Sequence, residues 1–132
     1  MRITLFALLA GAAFFAPPAA AQAEPDVHFD GTWTATIAAP SATPQVSRLV
    51  LRQFSGTWHG PVGTAAGAKG ACAGRKFPVT VQQSNASGLA FTVWGDAVAP
   101  ACANLNVELK QVSDRRFEGT VEAVGAITLV RR

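Results

Sequence analysis

Tyrosine is absent from this 132-residue chain, and histidine and cysteine occur only twice each. The two histidines, His28 and His59, have no second ligand at metal spacing, so neither marks a metal centre. No Ser/His/Asp or Cys/His constellation is legible, which leaves nucleophilic catalysis without its parts. The eight acidic residues are scattered. Glu118 and Glu122 share a strand face with Arg116, the pattern of charge partners on a wet surface rather than an acid/base pair flanking a cleft. Charged residues make up only 14% of the chain, and no Lys/Arg-rich run supports nucleic-acid binding. The expectation is a protein that is not an enzyme and uses no metal or cofactor.

What is present begins with an export signal. Met1-Arg2 is a short positive start, residues 3–15 are almost unbroken apolar, and Pro17-Pro18 stops any helix. Ala21-Gln22-Ala23 then places small residues where a signal peptidase reads. The apolar run is shorter than the roughly 20 residues a bilayer requires. Residues 1–23 are expected to be a cleaved signal peptide, 24–28 a loose polar leader, and 29–132 one folded domain in the periplasm or outside the cell. Losing Arg2 leaves ten Lys and Arg against eight Asp and Glu, a net charge of only +2. No further apolar stretch is long enough to form a transmembrane segment in the mature protein. Cys72 and Cys102, maturing in an oxidising compartment, are expected to pair as a disulfide.

From Phe29 onward the apolar period is two, the signature of strands rather than helices. Trp33, Ala35 and Ile37 alternate with Thr32, Thr34 and Thr36, and β-branched threonine suits a pleated face. The same alternation runs through Leu49 and Leu51, through Phe77, Val79 and Val81, and through Leu89, Phe91 and Val93. It continues in Leu105, Val107 and Leu109, then Phe117 and Val121, then Ile127 and Leu129. A third strand is expected over residues 57–62, after a tight turn at Phe54-Ser55-Gly56. The total is eight short strands with no helix after the signal. The expected fold is all-β: a single small antiparallel eight-stranded up-and-down barrel, with a two-sheet β-sandwich as the alternative. In a meander the long loops at 38–45, 63–75 and 95–101 fall at one end, which brings both cysteines to the same end.

Gly31-Thr32-Trp33, with Ser55-Gly56-Thr57-Trp58 and Phe91-Thr92-Val93-Trp94, resembles the strands of the lipocalin and avidin-like barrels. That resemblance implies an eight-stranded meander with a binding cavity at one mouth. Biotin-binding members use a tyrosine, which this chain lacks. Trp33 falls on the apolar face and is expected in the core. Trp94 is out of phase with its strand and is expected at the surface, where an aromatic side chain can anchor a partner. Lys69, Arg75 and Lys76 gather near the long-loop end and could receive an anion or an acidic partner. Trp94, Arg75, Lys76 and Lys69 are therefore the candidate binding residues. The partner is expected to be a small apolar or anionic ligand, or another envelope protein. The alternative is a solid-core interaction or inhibitor module, and an internal cavity would separate the two.

Overall fold

Strict alternation along each strand gives one apolar and one polar face, and eight such strands can hide the apolar face by curling the sheet shut. The computed structural model describes residues 11–14, 24–40, 42–63 and 72–132. Most of the expected signal peptide and all of Lys69 lie outside the described residues. The strands are β1 (Gly31–Ala38), β2 (Gln45–Arg52), β3 (Ser55–His59), β4 (Lys76–Asn85), β5 (Gly88–Val93), β6 (Leu105–Ser113), β7 (Arg116–Val121) and β8 (Gly125–Arg131). Each pairs antiparallel with the next, and β8 pairs back onto β1. The result is a closed up-and-down barrel and not a sandwich.

The interior is filled. Trp33, Leu49, Trp58, Phe77, Phe117 and Leu129 point inward and expose 0% of their surface to water, from outside or from within. Edge-to-face contact at 5.4 Å joins Trp33 to Phe117, and Trp58 lies 6.4 Å from Phe91. Each large side chain buried this way contributes roughly 1.5–3 kcal/mol. Gly119 also lies on the inward side, paired with Leu109 on β6 and Ile127 on β8. A Cβ there would run into the carbonyl oxygen of Glu108, so β6 and β7 approach more closely than any side chain allows. Bulges at Val81/Gln83 and Gln111/Ser113 add the local bend that closure needs.

Two expectations from the sequence need correction. The β2–β3 turn is Gln53-Phe54, and β3 covers Ser55–His59 rather than 57–62. Gln53 takes the left-handed conformation (φ 53°), and its N–H donates to Asp30 Oδ1 at 2.7 Å. That bond lets a residue other than glycine make the turn, so Gly56 is freed to serve within the strand. The leader is also not loose. β3 pairs only with Lys76 to Thr80, which leaves the second half of β4 without a neighbour on that side. The leader fills the gap: Asp26 bridges Asn85, the Val27 N–H donates to the Ser84 carbonyl at 2.8 Å, and the Ser84 hydroxyl donates to the Val27 carbonyl.

Both mouths are covered. At the tight-turn end Phe29 packs edge-to-face on Phe117 at 4.8 Å, and its carbonyl accepts from Trp33 Nε1 at 3.0 Å. The Arg131 guanidinium lies 4.6 Å from the centre of the Trp33 ring. At the opposite end the long loops meet as expected. Cys72 and Cys102 form a disulfide there with Cα atoms 5.7 Å apart, and the Ala103 N–H donates to the Gly63 carbonyl at 2.6 Å.

Candidate docking face

Because the barrel is filled and capped, the accessible chemistry lies on its outer wall. Trp94 follows the inward Val93, so its side chain turns outward, as the sequence predicts. It remains 37% exposed. Its position is fixed twice: the backbone N–H donates to the Pro78 carbonyl at 2.9 Å, and indole Nε1 donates to Thr80 Oγ1 at 3.1 Å. The indole is therefore held on the outer wall over β4, beside rather than within the long-loop mouth. Lys76 opens the same outward face of β4, two residues before Pro78, and Arg75 precedes it; both are exposed. Trp94, Arg75 and Lys76 thus share one side of the barrel.

The register adds residues that strand alternation alone does not single out. Arg48 on β2 pairs with His59 on β3, and His59 pairs with Lys76 on β4. All three are exposed. With Val50 and Thr57 they line a hollow of about 190 Å³. A signal for this face exists in the sequence, because residues 31–95 contain no Asp or Glu. His59 faces solvent, in agreement with its phase against Trp58.

The remaining walls differ. On β6 and β7, Lys110 pairs across strands with Glu118, and Arg116 Nε lies 2.9 Å from Glu118 Oε1. Glu118 and Glu122 do not share a strand face, because β7 ends at Val121 and Glu122 lies in the following turn. Its carboxylate instead accepts from Asn106 Nδ2 at 3.3 Å. A shallow trough of about 490 Å³ crosses β4 to β7 over Gly88, Ala90 and Gly119. A smaller hollow of about 290 Å³ lies beside the disulfide, lined by His59, Pro61, Val62 and Cys72 among others. Among the described residues, no helix is long and apolar enough to cross a membrane, and no group of three His, Cys, Asp or Glu side chains could hold a metal ion.

No family model matches the chain, and no curated protein does. Among solved structures, it is similar to a redesigned β barrel, with 16% identity and a TM-score of 0.44 over 78% of this chain and 90% of that one. The class defined by the coordinates is a closed, filled, disulfide-bonded up-and-down β-barrel.

Proposed function

We propose that this protein is an exported, non-enzymatic interaction module of the cell envelope, which docks a partner protein through Trp94, Arg75 and Lys76. The observation that carries this reading is the state of Trp94. A large aromatic surface is left in water yet immobilised by two hydrogen bonds on a filled barrel. Such pre-ordering reduces the entropy lost on binding, and tryptophan beside arginine or lysine is the composition of interface anchors. Export is supported by the Cys72–Cys102 bridge, which fits an oxidising location. The Gly31-Thr32-Trp33 opening is consistent with lipocalin or avidin-like descent, with the ligand cup replaced by side chains.

A photo-crosslinking amino acid at position 94, compared with one at Lys110 on the neighbouring β6 wall, tests the reading in envelope extract. The expected result is a defined adduct from position 94 alone, competed away by unlabelled wild-type protein and not by Trp94→Ala. Identical adducts from both walls, or equal competition by Trp94→Ala, would refute it. The hollow beside the disulfide favours a second reading, a small apolar ligand held at the long-loop end through Val62 and Pro61. Native mass spectrometry of the purified protein separates the two, since only the second predicts a co-purifying small molecule.

A further inference from the structure

The Arg48–His59–Lys76 row is an unusual use of a sheet surface. Directly opposed positions on neighbouring strands bring Cβ atoms within about 4.5–5.5 Å, and like charges placed there destabilise the sheet. The same barrel avoids this on β6 and β7, where Lys110 faces Glu118 and Arg116 pairs with Glu118. On β2, β3 and β4 that pairing with acid is missing. Arg48 and Lys76 flank the His59 imidazole from the two neighbouring strands, and no acidic residue occurs anywhere from 31 to 95. Among the described residues, Arg116–Glu118 is the only ion pair within 4 Å, so neither Arg48 nor Lys76 has a carboxylate at that range.

We infer that this row is a binding site for a phosphoryl group. Arginine offers a planar fork, lysine a point charge and histidine a ring N–H, and all three border one hollow with the Thr57 hydroxyl beside them. A single carboxylate would be satisfied by the arginine alone. Three basic donors around a hollow of about 190 Å³ match a tetrahedral group carrying up to two negative charges. The site goes beyond the docking role of Trp94, which does not line the hollow; Lys76 is shared with the docking face, while Arg48 and His59 belong to this site and not to that face. The phosphoryl group can be free phosphate or the headgroup of an anionic lipid, and the experiment distinguishes the two.

The test titrates the isotope-labelled exported protein with inorganic phosphate, at ionic strength held constant with chloride, and follows backbone amide signals. The expected result is saturable shifts at residues 48–50, 57–59, 76 and 77 with one common midpoint. Arg48→Gln and Lys76→Gln should each weaken that midpoint about tenfold, the loss of one charge-assisted contact. Lys110→Gln and Trp94→Ala should leave it within twofold, which keeps failure of this site distinct from failure of the docking face. A parallel arm measures co-sedimentation with phosphatidylglycerol and phosphatidylcholine vesicles. Binding only to phosphatidylglycerol, lost in Arg48→Gln, supports the site and assigns the group to a lipid headgroup. His59→Glu supplies a readout in the folded state: by placing a carboxylate between two cations it should raise the melting temperature by about 1–3 °C while abolishing binding. Non-saturating shifts, shifts spread equally over Arg115 and Arg116, or no binding of phosphate or phosphatidylglycerol vesicles would overturn the inference.

Discussion

Breaking the Cys72–Cys102 bridge should lower stability by an amount that loop length alone sets. The bridge spans a sequence separation of 30 residues and encloses β4 and β5. In the chain-entropy model a closed loop of that length removes about 12 cal/mol/K from the unfolded ensemble, or about 3.6 kcal/mol at 25 °C. With a urea m-value of about 1.5 kcal/mol/M, the unfolding midpoint should fall by about 2.4 M. Both cysteines are almost fully buried, so Cys72→Ala/Cys102→Ala adds a small packing loss on top. Urea unfolding followed by tryptophan fluorescence should be run on three samples: oxidised wild type, wild type in reductant, and the double variant. Reduced wild type and the double variant should lie within about 1 kcal/mol of each other and well below the oxidised form. A reduced wild type as stable as the oxidised protein would refute the reasoning, because the loss in the variant would then come from packing and not from loop closure.

Two further changes probe the tightest points of the barrel. Gly119→Ala should destabilise by about 1–3 kcal/mol, read as a fall in melting temperature, because its Cβ would displace the Glu108 carbonyl; an unchanged melting temperature would mean that the strands relax there freely. Ser47→Ala should be neutral or stabilising by up to about 1 kcal/mol, because the Ser47 hydroxyl is buried without a hydrogen-bond partner among the described residues; a clear loss in a urea titration would point to an unseen partner for that hydroxyl.

The strand pattern was legible in the sequence because the inward face of each strand is mainly apolar, from Trp33, Ala35 and Ile37 in β1 to Ile127 and Leu129 in β8, with Ser47 and Ser84 as buried polar exceptions. Closure followed from the same fact, since eight amphipathic strands in a meander leave no apolar face outside. The filled interior was not legible, because alternation says which side chains point inward and not how tightly they meet. A Phe-Ser-Gly sequence is a stronger turn signal than Gln-Phe, so the sequence places the β2–β3 turn too late. Only the distant Asp30 carboxylate, reaching the Gln53 N–H, shifts the turn by two residues. The leader reads as loose in the sequence because its partner, the uncovered half of β4, exists only once β3 is known to begin at Ser55, opposite Thr80. The Arg48–His59–Lys76 row depends on two registers. The first follows from a two-residue hairpin, but the second crosses the long loop between β3 and β4, where spacing along the chain says nothing about which residues face each other.

The pairing of β8 with β1 also sets the order in which the molecule can form. Seven of its eight pairings join consecutive strands, whereas this seam joins residues 88 to 98 positions apart, from Ala38 with Ala126 to Trp33 with Arg131. Hairpins can assemble as soon as their two strands are available, but the cylinder cannot close until its last strand is free. Non-local pairing of this kind is the slow part of folding. During that interval β1 and β8 are both open edges, and each could pair with the same strand of another molecule. The period of greatest risk for this protein is therefore the moment before closure, when one late strand decides between a sealed monomer and an intermolecular sheet.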